Sequence, residues 1–170
     1  MTLAARIARL RVPLGFGAAA CAFWLAQPTP RSIVAGAVVA AAGEALRIWA
    51  AGHLYKGREV TRSGPYRFLR HPLYAGSTLM GIGFAIAAAH VGSALLVSGY
   101  LGLTLAAAVR TEDAHLRATF GDQYHAYRSG ATDGTRCFSF ERAFRVNREH
   151  RALLGLAVVI AALFAKASAR

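Results

Sequence analysis

Five apolar segments limit what this chain can fold into more than any other feature of its sequence. They cover residues 12–26, 32–54, 73–89, 91–109 and 152–165. A helix needs roughly 20 mostly apolar residues to cross a bilayer, and lipid leaves no alternative to internal hydrogen bonding of the backbone. Charged residues make up only 16% of the chain, against about a quarter in soluble domains. We therefore predict a single all-α domain over 1–170, a polytopic membrane helix bundle with about five transmembrane helices.

The first apolar segment has an alternative interpretation as a signal peptide, because Arg6, Arg9 and Arg11 precede it. The connection over 27–31 carries no small-x-small cleavage pattern, however. We therefore favour a tight helical hairpin between the first two spans.

The basic residues predict the orientation of the bundle. Most of the twenty lysines and arginines fall before the first span or in the two long connections, 55–72 and 110–151. By the positive-inside rule, the amino terminus and both long loops lie in the cytoplasm. The net charge of +12 is thus membrane-flanking, and no soluble basic module predicts nucleic-acid binding. Two cysteines and six scattered histidines show no metal-ligand spacing, so we predict no metal site.

The first long connection carries a candidate binding cluster over 61–76. Gly64-Pro65 marks a turn, and Pro72 suits the first turn of the third helix because it has no N–H to lose. His71 would then lie at the helix start, where free N–H groups and the helix dipole favour an anionic ligand such as a carboxylate. The alternative is an interfacial helix with Arg70 and Tyr74 as headgroup anchors.

The second long connection begins with helical periodicity over 110–127, which predicts an amphipathic extension of the fourth helix. Glu112 and Asp113 lie at the mouth of the bundle, where an acidic pair could bind an ammonium group. A solvated charged face is the alternative.

Two further sets of polar residues lie near this mouth. Glu44 and Arg47 share a helix face inside the second span, as a structural ion pair or as a functional group. Asn147, Arg148 and Glu149 precede the last span, in a stretch rich in aromatic and arginine residues that suits a helix in the headgroup plane. They could contact an acceptor or anchor anionic lipid.

Four short motifs occur in order between these spans. They are Gly-Pro-Tyr-Arg at 64–67, Arg-His-Pro-Leu-Tyr-x-Gly at 70–76, Glu-Asp-x-x-Leu at 112–116 and Phe-Gly-x-x-Tyr-x-x-Tyr at 120–127. With the Leu-Arg-Ile-Trp-Ala segment of the second span, this pattern resembles the isoprenylcysteine carboxyl methyltransferase and phospholipid methyltransferase superfamily. The resemblance covers about residues 43–128. Glycine pairs elsewhere lie inside apolar helices without a preceding strand, so no dinucleotide-type loop competes with it.

The resemblance implies an integral membrane methyltransferase that uses S-adenosyl-L-methionine and acts on a lipophilic acceptor. In the family, the Arg-His-Pro motif and the acidic pair hold the cofactor, and tyrosine rings offer faces for adenine or the sulfonium. Where the family pattern usually has two glutamates, this chain has Glu112 followed by Asp113. The shorter side chain gives Asp113 less reach toward a cofactor than a glutamate would have. The cofactor-binding residues expected here are Tyr66, Arg70, His71, Pro72, Leu73, Tyr74, Gly76, Glu112, Asp113 and Tyr124. The expected catalytic residues are Arg47, Arg148 and Glu149.

The acceptor is less sharply defined by the residues. We predict an isoprenylcysteine-like carboxylate, with a phospholipid amine or a small hydrophobic thiol as alternatives. A carboxylate needs no general base, whereas an amine or thiol must lose a proton, for which His71, His115 and Glu149 are candidates. A non-catalytic module that binds membrane lipids, and a membrane reductase that uses a nicotinamide cofactor, are the rival classes.

Overall fold

A computed structural model describes residues 3–130 and 136–169, and within these ranges the chain forms five α-helices and no strand. The helices are α1 (Leu3–Leu25), α2 (Pro30–His53), α3 (Pro72–Ala88), α4 (Val91–Arg128) and α5 (His150–Ser168). The all-α membrane bundle predicted from the sequence is confirmed. Residues 131–135 of the second long loop and Arg170 lie outside the described residues, as do the side chains of Arg6, Arg9 and Arg11.

Three of the described helices are long and apolar enough to cross a membrane: α2, α5 and the stretch Val91–Tyr127 of α4. The apolar stretch Pro13–Leu25 of α1 and the whole of α3 are shorter. The molecule is an integral membrane protein by these helices, and a total of five spans stays a prediction.

The helix ends follow from local residues. Thr29 caps α2: its hydroxyl accepts the Ser32 N–H at 3.1 Å, and the Ser32 hydroxyl accepts the Thr29 N–H at 2.9 Å. Pro30 fills the first helical position. Pro72 likewise opens α3, as predicted, and Ala89 ends that helix in the left-handed conformation.

The α2–α3 contact fixes the geometry of the bundle. A Cβ built on Gly36 would lie 2.3 Å from the carbonyl oxygen of Gly83, and one on Gly43 would lie 2.6 Å from that of Gly76. The two backbones therefore touch, which only small residues allow. Because Gly36 faces Gly83 while Gly43 faces Gly76, the helices are antiparallel. The last turn of α2 consequently lies beside the first turn of α3, at what we call the site end of the bundle.

Helix α5 runs antiparallel to α2 along the same pair. Leu163 near its end packs in a buried cluster with Ile33 at the start of α2, and the Lys166 ammonium donates to the Trp24 carbonyl at 2.8 Å. The beginning of α5 therefore also lies at the site end.

The predicted extension of the fourth helix is confirmed, because α4 continues to Arg128. It is interrupted at Gly121, whose φ of 42° and ψ of −113° are not helical. This conformation suits glycine, which has no Cβ to clash. The break redirects the last turns of α4 so that they fold back over the helix start at His71.

The segment 136–149 closes the site end over α2. The Asn147 amide donates to the carbonyls of Ala51 at 2.9 Å and Leu54 at 3.1 Å, and Arg142 donates to the carbonyl of Gly52. The terminal carbonyls of α2 are thus satisfied by side chains rather than left open. The sequence predicted a helix in the headgroup plane for this segment, and the helix found there is short, with a π-helical turn over Arg142–Val146.

Candidate active site

Arg47 is the centre of a buried ion cluster at the site end. Its Nε donates to Glu149 at 3.1 Å, and its Nη2 donates to the two oxygens of the same carboxylate at 3.0 and 2.9 Å. Its Nη1 donates to the Ser77 hydroxyl at 2.6 Å and to the Leu73 carbonyl at 3.4 Å. The guanidinium thereby ties α2 to the first turns of α3 and to the residue preceding α5. These contacts engage all three nitrogens of the guanidinium.

Glu44 lies one helical turn from Arg47 and is buried almost completely, with 2% of its surface exposed. Its nearest carboxylate oxygen is 3.6 Å from Arg47 Nε, but neither oxygen has a hydrogen-bond partner among the described residues. The Glu44–Arg47 pair expected from the sequence therefore exists as a contact. The stronger partner of Arg47 is Glu149, 102 positions away in the chain.

His71 lies immediately before α3, at the position that the sequence predicted. Its Nε2 is 3.2 Å from a carboxylate oxygen of Asp113, and its Nδ1 is 3.9 Å from Glu112. The imidazole stacks on the ring of Tyr74, with centroids 5.6 Å apart. The two motifs around His71 and Glu112 are thus brought together, although one lies at the start of α3 and the other lies within α4.

The two acids of this cluster have different surroundings. Asp113 accepts a hydrogen bond from the Tyr124 hydroxyl at 2.5 Å, and Tyr124 is 2% exposed. The side chain of Glu112 is 42% exposed, and its carboxylate lies 3.9 Å from His71 Nδ1. Asp113 is therefore held by two side chains, whereas Glu112 presents an open carboxylate.

Tyr66 and Tyr127 close the other side of the cluster. The Tyr127 hydroxyl donates to the main-chain carbonyl of Tyr66 at 3.0 Å, which holds the redirected end of α4 against the 3₁₀ turn over Gly64–Arg67. Burial raises the pKa of the Tyr66 phenol above its usual range. The phenol therefore stays protonated and can act as a hydrogen-bond donor.

The free backbone N–H groups expected at the start of α3 are fewer than the sequence suggested. Pro72 has none, and the Tyr74 N–H donates to the His71 carbonyl at 3.1 Å. The Leu73 N–H has no partner among the described residues, so it is the backbone donor that this helix start can offer to an anionic ligand.

Two of the expected cofactor residues have packing or surface positions. Gly76 is buried where a Cβ would lie 2.6 Å from Arg47 Cγ, so its small size is needed by the ion cluster and by the α2–α3 contact. Arg70 is exposed on the surface.

Arg148 is exposed, and it adopts a positive φ of 58°. The residues on either side of it, Asn147 and Glu149, point inward to the end of α2 and to Arg47. The left-handed conformation lets the chain direct both neighbours inward while Arg148 faces outward. The structure does not bring Arg148 into contact with the His71 cluster.

Two residues of the site were missed by sequence reasoning. Ser77 could have been found, since it lies four positions after Leu73 on one helix face, where its hydroxyl also donates to the Leu73 carbonyl at 3.0 Å. The role of Gly121 as the break in α4 had no sequence signal beyond glycine itself.

The Arg47 ion cluster and the His71 cluster meet at the first turn of α3, because Arg47 binds the carbonyl of Leu73, two residues after His71.

The described helices, with an acidic and aromatic site at the end of two antiparallel ones, define the molecule as an α-helical integral membrane protein. Its sequence identifies the class more closely. Residues 15–123 match the model of the phospholipid methyltransferase family, and the chain belongs to that family.

One curated relative is the protein-S-isoprenylcysteine O-methyltransferase of Schizosaccharomyces pombe, which is 30% identical over 93 residues. The aligned region is 55% of this chain and 39% of the relative, so the match spans well under half of that protein's length. No solved structure matches the chain.

Proposed function

We propose that this protein transfers a methyl group from S-adenosyl-L-methionine to a lipophilic acceptor, with its site end facing the cytoplasm. Membership of the phospholipid methyltransferase family and the relative from S. pombe support this assignment. The observation that carries it is the cluster of His71, Glu112, Asp113 and Tyr124 at the start of α3.

The chemistry of the cluster fits the cofactor's amino-acid group. Glu112 offers an open carboxylate to an ammonium, while His71 and the Leu73 N–H lie at the positive end of α3, where a carboxylate is stabilised. The ring of Tyr74, which stacks on His71, borders the same place and could receive adenine or the sulfonium. Pro72 sets the direction of this helix start.

When bound, the cofactor supplies a methyl group on a positively charged sulfur, and that sulfur is a good leaving group. The chain's own task is then alignment of donor and acceptor and exclusion of water. Asp113 orients the His71 imidazole through its Nε2, and the Tyr124 and Tyr127 hydroxyls keep the end of α4 over the site. Arg47 and Glu149 act by fixing α2, α3 and the beginning of α5 relative to one another.

Binding of the cofactor is the first test. Detergent-purified protein would be titrated with S-adenosylmethionine and its demethylated product by calorimetry. Removing one charge-assisted contact costs about 1.5–3 kcal/mol, or roughly 10- to 150-fold in affinity. We expect losses of this size in His71→Ala and Glu112→Gln.

Glu141→Gln is the matched control, because the Glu141 side chain is 71% exposed and pairs only loosely with Arg145 at 3.6 Å. It should bind like the wild type. The proposal is wrong if the folded wild-type protein fails to bind either compound, or if Glu141→Gln loses as much affinity as Glu112→Gln.

An amine acceptor is the second candidate, and the saturation of Arg47 favours it over the predicted carboxylate. All three guanidinium nitrogens are engaged by Glu149, Ser77 and the Leu73 carbonyl, so Arg47 is poorly placed to receive a substrate carboxylate. Two buried acids, Glu44 and Glu149, lie beside this single cation, and such surroundings suit the cationic ammonium that methyl transfer to an amine produces better than they suit a carboxylate. Paired assays with a prenylcysteine carboxylate and with a phospholipid amine would distinguish the two. Methylation of water-soluble acceptors alone would contradict both.

A further inference from the structure

The segment before α5 has an outward side that the proposed catalytic function does not use. Its inward residues are committed: Asn147 and Arg142 bind the end of α2, and Glu149 binds Arg47. The remaining side chains are exposed and combine apolar with cationic groups. We call this the arginine–aromatic face, and its members are Phe140, Arg145, Val146, Arg148 and Arg151.

Exposure at this face is high for both kinds of side chain. Phe140 is 71% exposed and Val146 is 61% exposed, while the Arg145 side chain is 83% exposed and has only the weak contact with Glu141. Arg148 and Arg151 have no ion-pair partner among the described residues. Apolar side chains beside exposed cations are typical of a surface that lies at the boundary of a membrane.

The position of α5 places the face at that boundary. The helix has 19 residues, which corresponds to roughly 28 Å at 1.5 Å per residue, close to the hydrocarbon thickness of a bilayer. A helix of this length has no turns to spare, so its first residue, His150, must lie near the lipid headgroups. Leu153 and Leu154 continue the exposed apolar surface directly into the span.

The start of α5 also lacks an internal counter-charge. Its first turn contains no acidic residue but contains His150 and Arg151, although the positive end of a helix dipole favours anions. The Glu149 carboxylate, which could have supplied the charge, is engaged by Arg47. An external anion would therefore stabilise this end, and the phosphate groups of lipids are the anions available at that depth.

From these observations we propose that the arginine–aromatic face is a binding site for anionic phospholipid headgroups, with Phe140 and Val146 inserted among the acyl chains and Arg145 and Arg151 on the phosphates. The proposal does not depend on methyl transfer. A basic residue next to an anionic surface contributes about 1 kcal/mol, which corresponds to roughly a fivefold preference for anionic over zwitterionic lipid per charge.

The test uses the full chain reconstituted in equal parts of phosphatidylglycerol and phosphatidylcholine. The lipids retained by the protein would be counted by native mass spectrometry at low and high salt. The wild type should retain mainly phosphatidylglycerol, and R145Q/R151Q should lose most of that preference. R145K/R151K, which keeps the charges, should retain it.

The control is K56Q/R58Q, which removes the same charge from two exposed residues in the loop after α2. It should keep the preference for phosphatidylglycerol. Helix content and thermal unfolding in neutral detergent would show that each variant is folded. Equal losses in both double variants would trace the preference to net charge and overturn the proposal. So would retention of the preference in R145Q/R151Q, or its absence from the wild type.

Discussion

Glu149 and Glu44 are two buried carboxylates beside the same guanidinium, and their replacement by glutamine should have very different consequences. Glu149 accepts three Arg47 contacts of 2.9–3.1 Å, so Glu149→Gln leaves Arg47 without its counter-charge. Breaking one side of a buried ion pair costs roughly 3–5 kcal/mol. Arg47 keeps Ser77 and the Leu73 carbonyl, so we expect the low end, about 3 kcal/mol.

Glu44→Gln removes no hydrogen bond, because neither oxygen of Glu44 has a partner among the described residues. Arg47 keeps the Glu149 carboxylate as its hydrogen-bonded counter-charge in this variant. An unsatisfied buried carboxylate is costly to keep, so this variant should lie within about 1 kcal/mol of the wild type or be more stable.

The measurement is reversible unfolding in mixed detergent micelles, followed by loss of helical circular dichroism, for both variants and for Glu149→Asp. The aspartate keeps the charge at a shorter reach and should fall between Glu149→Gln and the wild type. The reasoning would be refuted by Glu44→Gln costing as much as Glu149→Gln, because the hydrogen bonds to Glu149 would then not decide the difference.

Three further predictions concern backbone, packing and pH. Gly121→Ala should weaken S-adenosylmethionine binding in a titration, because alanine is strained by about 1–3 kcal/mol at a positive φ, although no atom lies within 4 Å of its Cβ position. Gly36→Ala should lower the unfolding temperature, since its Cβ would meet the Gly83 carbonyl oxygen at 2.3 Å, whereas Gly99→Ala, which has no neighbour there, should not. The raised pKa of Tyr66 means that the unfolded phenol ionises first. The unfolding free energy should therefore fall above about pH 10, by up to roughly 1.4 kcal/mol per pH unit, and less steeply in Tyr66→Phe.

Much of the fold could be predicted because its signals are local. Apolar runs of the right length located the helices, and Pro72 marked a helix start that the structure confirms. The break at Gly121 is different, because glycine also occurs inside intact helices such as α2. What distinguishes Gly121 is a pair of hydrogen bonds made by residues beyond the break, from Tyr124 to Asp113 and from Tyr127 to the Tyr66 carbonyl. These contacts can be seen only in the three-dimensional structure.

The ion cluster around Arg47 shows the same limit in the site: contacts between residues far apart in the sequence have no local signal. Glu44 and Arg47 are three positions apart, so helical periodicity paired them and the contact at 3.6 Å exists. Glu149 is 102 positions from Arg47, and no local pattern connects them. Their contact depends on α5 running back along α2 and on Asn147 fixing the preceding segment to the end of that helix. A sequence therefore reveals which charges lie at membrane depth more readily than which charge neutralises which.

The acidic pair shows how the structure can turn a departure from a family pattern into a functional distinction. Asp113 stands where a second glutamate is usual, and it already has two partners, His71 and the Tyr124 hydroxyl. A carboxylate one methylene shorter suits a role inside the protein, in which it orients the imidazole. Glu112 has the longer reach and the open position, so the ammonium contact falls to it. If this division is right, Glu112→Gln should lower cofactor affinity by removing the ammonium contact, whereas Asp113→Asn should lower it less, because it changes only the group that orients His71. Equal losses of affinity in the two variants would show that the acids act as one unit.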